Sequence, residues 1–151
     1  MQGCKTYGPS DSASHDAQVA TGDRELPGML ATFSSYQDML GPYHPLTLQM
    51  LTEVGMALRR DGQRDEALIT LQRGLRDTTR ALGRNHHLRL RLLASLRDLY
   101  MELDDREKAA SAQQELISCH AELFGADHAM TFAARETLVR MLMRNGPSGV
   151  S

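Results

Sequence analysis

Histidine is the residue in this chain whose spacing invites chemistry. It recurs as His44, His86 and His128, at intervals of 42 residues, with His87 and His120 beside the later copies. Imidazole is a metal ligand and a general base near neutral pH. A metal site brings its ligands within about 2 Å of one ion, whereas residues at the same place in successive repeats sit far apart. The spacing therefore predicts a structural role, at helix starts and in interhelix hydrogen bonds. His86, His87 and His120 are the one trio a metal would have to use. No CxxC or HExxH cluster accompanies them, so neither metal nor cofactor is expected.

Other reactive groups are sparse. Cys4 lies in a polar leader and Cys119 on an apolar helical stripe, where a cysteine behaves as a small hydrophobe. The acids of "ELDDRE" at 102–107 span a predicted turn between helices. There is no P-loop, no GxSxG and no dinucleotide glycine fingerprint. No catalytic residue is assigned, and the chain reads as a non-enzyme.

The bulk properties suit one small soluble domain: 151 residues, 41% hydrophobic and 24% charged. Aromatics are 5% and tryptophan is absent, so the core must be Leu, Met, Ala and Val. A net charge of −2 argues against nucleic acid or an anionic membrane as partner. No apolar run approaches a membrane span, and "MQGCKTYGPS" lacks the apolar stretch of a secretory signal. Gly3 does not directly follow the first Met, so N-myristoylation is unsupported. Two cysteines are too few for a disulfide scaffold, which places the chain in a reducing cytoplasm.

The elements that position the histidines follow from a longer recurrence. "LGPYHPLT" at 40–47 returns as "LGRNHHLR" at 82–89 and "FGADHAMT" at 124–131. A fixed period of this size marks stacked helical repeats. Between the junctions the apolar period is helical. Leu51, Val54 and Leu58 form one stripe, and Ala67, Leu71, Leu75 and Leu82 form the next. Pro45 suits a first helical position and Gly62, Gly83 and Gly125 suit helix ends. Helices are predicted over about 27–40, 45–61, 64–82, 87–103, 106–124 and 129–144. Their short connections force antiparallel neighbours. Residues 1–25 and 147–151 have no hydrophobic period and are expected to be disordered, flanking a helical domain at 26–146.

The junction and stripe residues resemble the tetratricopeptide repeat of the kinesin light chain type, with its 42-residue period and "LGxxHPxT" junction. Residues 40–83 fit without a gap, through Leu51, Val54, Gly55, Leu58, Gly62, Ala67, Leu71, Gly74 and Leu82. The second unit departs at Arg97, Asp104 and Gln113, and the third at Arg135. The resemblance implies an all-α fold, a right-handed superhelical stack of antiparallel hairpins, with the first helix of each pair lining a concave groove. The family's peptide-reading asparagines are replaced by Thr52–Glu53, Ala94–Ser95 and Glu136–Thr137.

The repeat register then assigns a peptide-binding groove. Unit one contributes Gln49, Thr52, Met56, Arg59 and Arg60; unit two contributes Arg91, Ala94, Asp98 and Met101; unit three contributes Ala133, Glu136, Arg140 and Met143. From Arg59 to Arg91 nine arginines face four acids, and from Arg97 to Asp127 three bases face eight acids. Such a dipolar surface steers a charged peptide or a second copy of the chain. The expected function is a non-enzymatic adaptor or scaffold holding a partner's peptide or helix. The alternative is a self-assembling module, or part of a longer repeat protein.

Overall fold

A computed structural model describes residues 25–144, which form six helices and no strand. α1 covers 25–40. The rest are α2 (Pro45–Arg60), α3 (Arg64–Leu82), α4 (His87–Glu102), α5 (Arg106–Phe124) and α6 (Ala129–Arg144). Successive helices from α2 to α6 pack on each other, and α2 also touches α4. The pairs α2–α3 and α4–α5 are complete hairpins. α1 stands where a second helix stands, and α6 where a first helix stands. The result is an all-α solenoid. α1 is already helical at Glu25, a residue expected to be disordered; otherwise the two segments expected to be disordered lie outside the described residues.

The recurrent junction has a local physical cause. Gly41, Gly83 and Gly125 hold φ of 93°, 95° and 102°, a region that L side chains avoid. Each stands directly after a helix and turns the chain towards the next. His44, His86 and His128 follow three residues later. Each Nδ1 accepts a hydrogen bond from the backbone N–H two residues on, at 3.2, 3.1 and 3.1 Å. The histidine thus satisfies one of the unpaired N–H groups that open every helix. Thr47 and Thr131, three residues after their histidines, donate to the carbonyls of Tyr36 and Gly125 and tie each new helix to the one before.

Unit two places Arg89 at that threonine position. Its side chain is only 7% exposed. It donates to the Arg84 carbonyl (3.2 Å), the Thr79 hydroxyl (2.9 Å), Cys119 Sγ (3.1 Å) and the Glu115 carboxylate (2.6 Å). One guanidinium thereby joins α3, the junction, α4 and α5, and its charge is paired as burial requires.

Leu48, Val54, Leu58, Leu71, Leu92, Leu96 and Leu99 form the main core, and Leu93, Leu116 and Cys119 form a smaller one. The departures of unit two from the repeat pattern compensate each other. In unit one a Cβ built on Gly55 would lie 2.6 Å from Leu71 Cδ2, so the two helices meet small-against-large. Forty-two residues on, the pair is Arg97 and Gln113. Arg97 Nη1 donates to Gln113 Oε1 at 2.8 Å, and Gln113 Nε2 donates to the Ala134 carbonyl of α6 at 2.7 Å. An apolar contact has become a polar one that reaches into the next unit. Asp104, in place of Gly62, keeps the left-handed turn at φ 59°.

Candidate functional site

The first helices α2, α4 and α6 line one side of the stack, and ion pairs close its N-terminal half. Arg91 of α4 meets Glu53 of α2 at 2.6 Å. Arg59 meets Glu102 at 2.6 Å and Asp98 at 4.0 Å, and Arg64 meets Glu102 at 3.5 Å. Arg59, and then Arg64, hold the Glu102 carboxyl below its ordinary range against the opposing effect of burial. Together with Arg89–Glu115, the pairs of Arg59 and Arg64 join the arginine-rich stretch to the acid-rich one. Much of the expected dipole is therefore consumed inside the fold.

Between α4 and α6 this side opens, because the backbones of these two helices stand further apart than those of α2 and α4. Two cavities lie along the gap, of about 460 and 420 Å³, and both are bordered by Thr137. The first is walled by Met101, Arg140, Met143 and Arg144 over buried Met141. The second is walled by Arg91, Ala94, Arg97, Gln113, His120 and Ala133, among others. Arg140 and Arg144 make no ion pair among the described residues, whereas Arg91 and Arg97 are paired.

The furrow thus gathers Arg91, Met101, Arg140 and Met143 of the residues expected to bind, with Ala94 and Ala133. Gln49, Met56, Arg59, Arg60, Asp98 and Glu136 line neither cavity. Arg60 is exposed, with Glu25 at 3.9 Å, and Asp98 accepts from Arg97 at 2.9 Å. Thr52 is a correction: it is fully buried, and its hydroxyl donates to the Leu48 carbonyl at 2.9 Å. Its register position turns into the packed interior instead of a groove. Thr137, Gln113 and His120 are additions. Gln113 was visible in the sequence as a polar residue at an apolar position, Thr137 as the residue at a peptide-reading asparagine position of the family and His120 as one of the clustered histidines, but none of the three was assigned to the groove.

His120 packs against Phe124 (ring centroids 5.9 Å), which in turn stacks on His128 (5.0 Å). Burial, and then the nearby His128, push the His120 pKa down. Its Nδ1 is buried and has no hydrogen-bond partner among the described residues. The rings of His86 and His87 lie tilted to each other with centroids 4.3 Å apart, and no group of three metal-ligating side chains gathers among the described residues.

The opposite face carries two crevices related by the repeat. One, of about 430 Å³, lies among Leu30, Phe33, Leu58 and Ile69. Its counterpart, of about 150 Å³, lies among Leu75, Tyr100, Lys108 and Ser111. In the second, Gln72 Nε2 donates to the Tyr100 hydroxyl at 2.9 Å and bridges the gap. Leu30 and Leu58 hold the corresponding places in the first and have no polar atoms with which to bridge it.

Comparison with known proteins agrees with this geometry. Residues 47–88 match the family model described as tetratricopeptide repeat. Two solved structures, a substituted form and its parent, come from a Podosopora anserina kinesin light chain-like protein with nearly identical TPR-like repeats. They superpose with TM-scores of 0.73 and 0.74 at 20% identity, over 97% and 90% of this chain. The chain spans 69% and 64% of theirs. No curated protein matches the sequence. Tetratricopeptide arrays are protein–protein interaction modules, and 42 residues is the interval at which this chain repeats its glycine turn, its histidine cap and its hairpin. Residues 47–88 thus match a tetratricopeptide repeat, and the fold of the chain is that of kinesin light chain-like TPR arrays.

Proposed function

We propose that the furrow between α4 and α6 holds an extended peptide or a helix of a partner protein, and that the chain acts as a non-enzymatic adaptor or scaffold. One observation carries this reading: two cavities meet at Thr137, with methionines on the wall and, at one end, Arg140 and Arg144, which make no ion pair among the described residues. Methionine adapts to varied partner shapes. The partner presents an apolar side chain to Met101 and Met143 and an acidic group to Arg140. Such a charge-assisted contact contributes about 1.5–3 kcal/mol when desolvated and about 0–1 when exposed. Cys119 is a free, buried thiol, which suits the cytoplasm.

The test begins with a partner captured by the 151-residue chain and identified by mass spectrometry, followed by titration calorimetry. Arg140→Glu with Met143→Glu should weaken binding about tenfold or more, with the helical circular dichroism unchanged. Arg76→Glu, on α3 away from the furrow, should bind as the parent does. Undiminished binding by the furrow variant would place the interaction elsewhere on the solenoid.

A further inference from the structure

We propose that the two ends of this stack fit each other: α1 of a second copy docks on α6 and completes its hairpin. The repeat register identifies the surface. In α2 the stripe Leu48, Leu51, Gly55 and Leu58 is buried, with Gly55 against Leu71 and Leu51 beside Gly74 of α3. Two repeats later the same stripe is Phe132, Arg135, Val139 and Leu142. There Phe132, Val139 and Leu142 are 61%, 52% and 53% exposed, and no helix covers them among the described residues. This stripe is a different face of α6 from the furrow.

α1 offers the complementary half. It holds the position of a second helix, directly ahead of α2 as α3 is ahead of α4. The α3 residues Leu71, Gly74 and Thr78 are buried, Leu71 against Gly55 of α2 and Gly74 beside Leu51 of α2 and Leu92 of α4. Their counterparts in α1 are Met29, Thr32 and Tyr36, each only half-buried. The preceding sequence does not repeat a first helix. The places of Leu48, Leu51, Val54 and Leu58 are taken there by Thr6, Pro9, Ser12 and Asp16. Among the described residues, one end therefore has a first helix without its second, and the other a second without its first.

Charge and shape favour the match. α6 carries three arginines against one acid, Glu136, while α1 carries Glu25 and Asp38 and no base. Glu25 lies 3.9 Å from Arg60 in its own chain, which leaves Asp38 as the freer acid. The closest approach in the first hairpin, Gly55 to Leu71, becomes Val139 to Met29 across the two copies. Methionine is unbranched and repacks around the valine. Thr32 keeps a small residue where Gly74 lies. Repeat arrays bury their faces only against neighbours, and a head-to-tail contact of this kind repeats into a ring or a filament.

The test uses the full chain in a Cys4→Ser background. Sedimentation should show a mass that rises with concentration and falls with salt, as the charge contribution requires. Leu142→Glu, at an exposed position, should weaken association about tenfold and leave the circular dichroism intact. Met29→Cys mixed with Val139→Cys should form a mixed disulfide under oxidation. Met29→Cys mixed with Ser118→Cys, an exposed position on α5, should not. A monomer at every concentration overturns the proposal. So does Val139→Cys cross-linking to itself, which would mean a symmetric α6–α6 contact. A chain whose association survives Leu142→Glu also overturns it.

Discussion

Replacing Gln113 with Leu tests whether the second hairpin is held by a compensated polar pair. Gln113 is 1% exposed and makes two hydrogen bonds, accepting from Arg97 at 2.8 Å and donating to Ala134 at 2.7 Å. Losing a bond to a charged donor costs about 1.5–3 kcal/mol and a neutral one about 0.5–1.5. Two features reduce that sum: Arg97 keeps its bond to Asp98, and leucine returns some hydrophobic stabilisation. The expected net loss is about 1–3 kcal/mol. Arg97→Gly added to Gln113→Leu recreates the Gly55–Leu71 pairing of unit one. Glycine costs about 1 kcal/mol inside a helix, but the pair should couple favourably by about 1–3 kcal/mol relative to the sum of the single changes. Urea unfolding followed by circular dichroism, on every member of the cycle, measures this coupling. If Gln113→Leu stays within about 0.5 kcal/mol of the parent, or the two changes are simply additive, the compensated pair is not what holds this hairpin.

Gly83→Val should cost about 1–3 kcal/mol, because φ is 95° while nothing lies within 4 Å of an added Cβ; an unchanged thermal melt would remove the turn from the account. Asp104→Gly should instead raise stability by up to about 1 kcal/mol, since aspartate at φ 59° bears left-handed strain and its surface pair with Arg106 offsets little; a lower melting temperature would contradict this. Stability should also fall under mild acid. Burial, and then the neighbouring histidine, depress the pKa of both His86 and His120, so the unfolded chain binds more protons. Their contribution is complete above the ordinary imidazole value of about 6.5 and is lost as pH falls towards the depressed folded values. Melting temperatures that are flat from neutral pH to mild acid would exclude it.

Local chemistry made most of the helix map legible in the sequence. A positive-φ glycine, a histidine that caps two residues ahead and a proline at a helix start all act within one turn of chain. The predicted bounds of α3, α5 and α6 match the observed ones, and α2 and α4 end one residue early. The apolar period likewise announced the stripes that became the core. The binding face was less legible, because it depends on how far successive first helices stand apart. Arg59 and Glu102 are 43 residues apart, and Arg89 and Glu115 are 26 apart. No local signal says that such pairs will meet. Only the stacking of the units brought α2 against α4, which occupied Arg59 with Glu102 and Asp98. The same stacking left α4 apart from α6, so that Arg140, Met101 and Met143 share an open furrow. Composition and spacing determine which residues belong to each helix face; tertiary packing decides which of those faces remains free to bind.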